Sequence, residues 1–308
     1  MKGSAGVARG VLAIGTRASA LALTQTDHVC ASLRTAHPDV ELEVRHISTR
    51  GDRITDRPLA ELGRNGVFVT EIEAALREGA IDLAVHSAKD LPSRLSPDMQ
   101  IGAFLRREDP RDVLVSRRGP LASLPPGARV GTSSPRRTAQ LRAARPDLVP
   151  VDIRGNVDTR LRRLAGGDYD ALLLAAAGLI RLGRASEITE WLAPDIMLPA
   201  VGQGALALEL RADDAATLAL LAPLNDARTA AEVGAERSFL ARLGADCAAV
   251  AAAFATVDAE GTLAITAMIG SAAGHLVRDS ATGPAADASI GARLADRLLA
   301  AGGTLHGN

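Results

Sequence analysis

The chain has 308 residues, 47% of them hydrophobic and 23% charged, with a formal net charge of −1. This is the composition of an ordinary globular protein of two or three domains. No apolar run approaches a membrane span and the N-terminus lacks the apolar core of a secretory leader, so a cytoplasmic location without membrane contact is expected.

Residues 11–15 are apolar and end in Thr16-Arg17-Ala18-Ser19. Ser19 suits a helix N-cap, and Leu21, Val29 and Leu33 then fall on one face, with Cys30 as a buried thiol. Residues 41–48 read as a second strand, which gives a β-α-β start. Residues 49–66 are polar and glycine-punctuated, the pattern of a long functional loop. Phe68, Ile72, Ala75 and Leu76 predict a helix over 68–78, and 81–85 a buried strand that empties into His86-Ser87-Ala88-Lys89-Asp90-Leu91-Pro92. Strand ends of open α/β sheets are where ligands bind. Only Lys2 and Lys89 are lysines, so 33 of the 35 basic residues are Arg.

The β/α alternation restarts at Asp112 with a strand over 113–115. Residues 129–163 hold nine Arg against three Asp (Asp147, Asp152, Asp158), a local charge of +6 in a chain of −1. Such an island implies an anionic partner. Within it, Val130–Ser134 read as a strand end and turn, and Pro135 as the first residue of a helix. Arg136 and Arg137 then occupy the first helical turn, where cations oppose the helix dipole, so an anion is expected at that N-terminus. Ile153-Arg154-Gly155-Asn156 repeats the strand-turn-helix pattern, and the two loops together suggest one binding floor. A strand over 171–174 and a helix follow. Residues 199–204 look like a hinge returning to the first domain, and 205–210 like a strand added to its sheet. The Gly-x-Gly there lacks the rest of a nucleotide fingerprint. After Pro223 come a helix over 232–243, strands over 251–257 and 263–269, and a helix over 285–301. These make a small α+β domain with Cys247 at its entrance. Cys30 and Cys247 form no metal spacing, nor do the six histidines, and no metal is expected.

Seven segments occur in order: Gly15-Thr16-Arg17-Ala18-Ser19, Thr49-Arg50-Gly51-Asp52, the 86–92 segment, Arg107-Glu108-Asp109-Pro110-Arg111-Asp112, the GTSSPRR segment at 131–137, the IRGNVDTRL segment at 153–161 and the PAVGQGA segment at 199–205. Together they resemble the hydroxymethylbilane synthase (porphobilinogen deaminase) family over nearly the whole chain. The resemblance implies two periplasmic-binding-protein-like α/β domains around a central cleft, plus a small α+β C-terminal domain. The boundaries expected are 10–106 with 204–222, then 110–199, then 226–308. It implies a monomeric transferase that joins four porphobilinogen molecules head to tail into a linear tetrapyrrole and releases ammonia. The primer is a dipyrromethane cofactor, held by a thioether to Cys247. Partners are porphobilinogen and its oligomers. By motif position, Asp90 is the catalytic carboxylate, with Lys89 and Arg17 favouring its ionised form or cycling its proton. Lys89, Ser87, Thr132, Ser133, Ser134, Arg136, Arg137 and Arg154 match cofactor contacts. Arg17, Ser19, Arg154, Arg160 and Arg181 match substrate contacts. Planar, bidentate Arg suits pyrroles that each carry two carboxylates, and residues 49–66 match a flap over the site.

The chain departs from the family pattern at Asp246 and Val250 around the cysteine, and at Glu61 and Asn65 in the flap, where Arg64 partly replaces a lysine. A carboxylate beside Cys247 disfavours its thiolate. A non-catalytic, two-lobed small-anion-binding protein is the alternative; Cys247 and the Lys89-Asp90 pair argue against it. Nucleic-acid binding is not expected, because the basic stretch lacks stacking aromatics and no DNA-reading module is evident.

Overall fold

The computed structural model describes residues 10–49, 69–244, 249–271 and 273–303. The expectations for Asp246 and Cys247, and for residues 50–66 of the loop, lie outside them.

Strand β1 (Val11–Thr16) is buried along all but its first residue, the pattern of a strand covered on both faces. Helix α1 (Ala20–Ala36) starts where Ser19 Oγ accepts from the Ala22 N–H, and it buries Val29, Cys30 and Leu33. Strand β2 (Glu41–His46) lies at the sheet edge, exposed and charged as edges usually are. Helix α2 (Thr70–Arg77) follows, then β3 (Leu83–Ser87), a short 3₁₀ turn over Ala88–Asp90, and β4 (Met99–Phe104). The strand expected over 81–85 is therefore displaced by two residues. Ile81 is fully buried beneath Gly15, where a Cβ would meet Ile81 Cδ1 at 2.3 Å.

The chain then enters a second sheet. It is built from β5 (Asp112–Ser116), β6 (Arg129–Gly131), β7 (Val149–Val151), β8 (Ala171–Ala175) and β9 (Glu190–Trp191). Its helices are α3 (Pro135–Ala144), α4 (Val157–Ala165) and α5 (Ala176–Arg181). Strand β10 (Leu206–Arg211) returns to the first sheet, as expected. The sheet orders are β2-β1-β3-β10-β4 and β7-β6-β8-β5-β9. In each, the fourth strand runs antiparallel to both neighbours and is the one reached directly after a crossing from the other sheet. The topology is thus the same α/β unit used twice, joined by crossings at 105–111 and 192–205.

After α6 (Ala215–Leu221), helix α7 (Ala227–Leu243) begins at an Asp226 cap, five residues before the predicted start. With α8 (Ile290–Ala300) it covers an antiparallel sheet of β11 (Ala251–Val257), β12 (Thr262–Gly270) and β13 (Leu276–Pro284). Phe239, Ile265, Ile269, Leu294 and Leu298 fill the layer between them. Sequence reasoning missed β13. No β13 residue is buried; it is paired along its backbone to β12 and packs only the partly buried Val277 and Ala281 on that core, a weak apolar signature.

The two crossings touch. Glu108 N–H donates to Gly204 O at 3.1 Å, and Gly204 has φ +89°, with Glu108 O 2.3 Å from where a Cβ would lie. Only glycine fits that approach. The third domain grips the same place through Glu236 on α7, which is fully buried. Its carboxylate accepts from Arg107 Nη1 at 2.7 Å, the Gly202 N–H at 2.7 Å and the Ala255 N–H at 2.8 Å. One side chain thereby ties both crossings to the third sheet. Glu236→Ala would leave the buried Arg107 side chain with only the more distant Glu232, at 3.7 Å, as counter-charge, with an expected loss of about 3–5 kcal/mol in urea unfolding. A loss below about 0.5 kcal/mol, the scale of an ordinary surface change, would contradict this role.

Candidate functional site

A cleft of about 770 Å³ opens between the two α/β domains. From the first domain come Arg17 and Ser19 in the loop after β1, Gln25 on α1, and Ser87, Lys89 and Asp90 at the end of β3. From the second come Arg137 on α3, Arg154 to Asn156 in the loop before α4, Val157, Arg160 and Arg163 on α4, and Arg181 on α5. Among the described residues the lining thus carries seven cationic side chains and one carboxylate, Asp90. A low-dielectric cleft with that imbalance focuses a positive field on a small anionic ligand. A smaller cavity of about 190 Å³ adjoins it, lined by Lys89, Asp90, Ser134, Arg136, Arg137, Gln203 and, from the third domain, Leu240, Ala249 and Ala251. The two cavities share Lys89, Asp90 and Arg137. Ala249, which lines the smaller cavity, stands two positions after Cys247 in the sequence.

An external anion was expected beside Arg136 and Arg137 at the N-terminus of α3. The two guanidiniums already carry one anion of the protein's own, Asp112, the first residue of β5 and fully buried. Its carboxylate accepts from Arg136 Nη1 at 2.6 Å, Arg137 Nη2 at 2.6 Å and Nε at 3.0 Å, and Gln203 Nε2 at 3.0 Å. Burial would raise the Asp112 pKa, but the two guanidiniums outweigh it and hold the carboxyl well below the usual carboxylate range. Arg136 and Arg137 also donate to the carbonyls of Leu198 and Leu173.

Other expected contacts divide. Ser134 lines the smaller cavity while its Oγ caps α3 by accepting from the Arg137 N–H. Thr132 and Ser133 line neither cavity. Thr132 Oγ1 accepts from the Ser134 N–H, and Ser133 Oγ is paired with both the N–H and the carbonyl of Ile153. They shape the two loops rather than face a ligand. Ser87 Oγ is 3.0 Å from Gln25 Nε2. Arg160 and Arg181 each lean on a backbone carbonyl, Gly155 O at 2.8 Å and Gly204 O at 2.7 Å, which orients the guanidinium without neutralising it. Burial, with Arg137 and Arg154 nearby, brings Arg160 down to about 10.

Lys89 Nζ donates to Gln203 Oε1 at 3.3 Å. Burial lowers its pKa to about 8, with Arg137 acting in the same direction and Asp90 and Asp112 against it. Sequence reasoning missed Asp112, Gln203 and Gln25 as site residues. Two had a signal: a carboxylate opening the apolar run Val113–Val115, and a polar side chain set between two glycines.

The family described as "Porphobilinogen deaminase, dipyromethane cofactor binding domain" matches residues 12–219, and "Porphobilinogen deaminase, C-terminal domain" matches 230–300. A protein of Roseiflexus castenholzii named porphobilinogen deaminase is 55% identical over 96% of this chain and 98% of its own. One of the same name from Brevibacillus brevis is 48% identical over 94% of each chain. Among solved structures, a Salmonella typhimurium periplasmic binding protein aligns with a TM-score of 0.39 and 16% identity, over 72% of this chain and 94% of that one. On the extent of the family match and these identities, the chain belongs to the porphobilinogen deaminase family.

Proposed function

We propose that the protein is a hydroxymethylbilane synthase: a transferase that condenses four porphobilinogen molecules stepwise into a linear tetrapyrrole, releasing ammonia at each step. The observation that carries this reading is the convergence, among the described residues, of seven cationic side chains and one carboxylate, Asp90, in one cleft. Pyrroles bearing acetate and propionate need many counter-charges, and the reaction needs one anionic group. Family membership does not favour the non-catalytic anion-binding alternative. Both walls of the cleft come from the same chain, which supports a monomer.

The residues present fit a dipyrromethane. Arg136, Arg137, Lys89 and Ser134 offer donors for its carboxylates, and the cavity they line includes Ala249, two positions after Cys247 in the sequence. That group, held on Cys247, supplies the first two pyrroles and a free α-carbon to extend. Everything else falls to the chain's own residues. Arg17, Ser19, Arg154, Arg160 and Arg181 bind and orient substrate carboxylates in the larger cavity. Asp90, at the junction of the cavities, stabilises the cation left on porphobilinogen when its amino group departs as ammonia. It also accepts or relays the α-proton lost when the new carbon–carbon bond forms. Lys89 keeps a positive charge beside Asp90.

Asp90→Asn is expected to fold normally and to lower kcat by about 10²–10⁴, the usual worth of a positioned acid–base group, measured as porphobilinogen consumption with ammonia release. Turnover within about twofold of the parent would assign the chemistry elsewhere. Because the Lys89 cation is lost as pH rises through about 8, turnover should fall on the alkaline side with a midpoint near that value. Lys89→Arg, which stays charged, should remove that limb; an unchanged limb would assign it to another group.

A further inference from the structure

Asp112 is absent from both cavity linings, yet both cations that the two cavities share, Lys89 and Arg137, are connected to it. It bonds Arg136 and Arg137 directly, and Gln203 carries the connection to Lys89: Gln203 Nε2 donates to Asp112 Oδ1 at 3.0 Å while Gln203 Oε1 accepts from Lys89 Nζ at 3.3 Å. A second Nε2 contact, to Pro110 O at 2.7 Å, fixes which end of the amide faces which partner. With both Nε2 contacts on acceptors, the oxygen is the end turned to the ammonium. The chain therefore runs carboxylate, amide N–H, amide oxygen, ammonium.

We propose that Asp112 and Gln203 are positioning residues for the family's reaction, a buried relay that keeps Lys89 charged and in place beside Asp90. The inference rests on the function proposed above for its significance, but not for its geometry. The groups facing Lys89 are Asp90 from its own turn, Arg136 and Arg137 from α3, Asp112 from β5 and Gln203 from the second crossing, with Arg17 lining the same cleft. Without Arg17 this cluster holds three cations and two carboxylates. Removing the Asp112 charge leaves three against one. Of the three cations, only Lys89 releases a proton near neutral pH, because arginines hold theirs far above it. The expected result is an uncharged Lys89.

The chain's composition makes the test direct. Lys2 and Lys89 are the only lysines, so a full-length protein labelled with ¹³C-lysine gives two Cε signals in an NMR pH titration. Lys89→Arg assigns the signal, and intact mass on each sample ensures that compared proteins carry the same covalent load. The parent should titrate near 8. Asp112→Asn is expected to lower that midpoint by about 1–3 pH units, the usual effect of a close opposite charge. Gln203→Leu leaves the Asp112–Arg pairs intact and cuts only the relay, and should lower it by less. It also decides the matter alone if Asp112→Asn does not fold. A midpoint unchanged from the parent in a folded variant overturns the proposal. The titration needs no turnover, so a parent that makes no tetrapyrrole would refute the proposed function and leave this result standing.

Discussion

A carboxylate with no solvent exposure, clasped by two guanidiniums, is the constraint around which the rest of the site is arranged. Taking Asp112, Arg136 and Arg137 out of water costs several kcal/mol per ion, and only a complete set of partners offsets it. The set is complete here because four separate segments meet: the start of β5 with Asp112, the N-terminus of α3, Leu173 in β8, and the second crossing with Leu198 and Gln203. None of these segments can shift alone without leaving a buried charge unpaired. The junction between the α/β domains is therefore held by electrostatics as much as by packing, and Lys89 sits at its outer end.

The arginines of this protein fall into two groups that composition cannot separate. Arg107, Arg136 and Arg137 are buried against carboxylates, Glu236 for the first and Asp112 for the other two, and they build the frame. Arg160 and Arg181 rest on neutral carbonyls and present charge to the cleft. Arg137 belongs to both groups, since it also lines the cleft. Such a division suits a ligand that grows. The frame stays rigid while the cleft cations, held only by neutral carbonyls, are left to pair with one ligand carboxylate after another.

Much of the fold was legible. Ser19 caps the helix it was expected to cap, Pro135 opens the helix it was expected to open, and the return of β10 to the first sheet follows from the hinge-like segment before it. What failed has physical causes. The strand ending at Ser87 was placed two residues early because Ile81 is as apolar as a strand residue, though its side chain is buried under Gly15. Strand β13 is paired along its backbone to β12 and packs only the partly buried Val277 and Ala281 on the core of its own domain, an apolar stripe too thin to read. In the site, the positions of Asp90, Lys89 and the cleft arginines come from motif order. The role of Asp112 depends on a contact between residues 24 and 25 positions apart, across strand and helix, which local spacing does not encode. Beside the external anion expected at α3, the protein places one of its own, Asp112.

The central claim is that this cleft builds a pyrrole chain on a primer anchored to the protein. The most direct test is the intact mass of the purified full-length chain before and after brief exposure to limiting porphobilinogen. The account predicts a starting mass above the sequence mass by two pyrrole units, followed by a ladder of further adducts spaced by one pyrrole, all lost in Cys247→Ser. A protein at its bare sequence mass that nonetheless releases tetrapyrrole would contradict it.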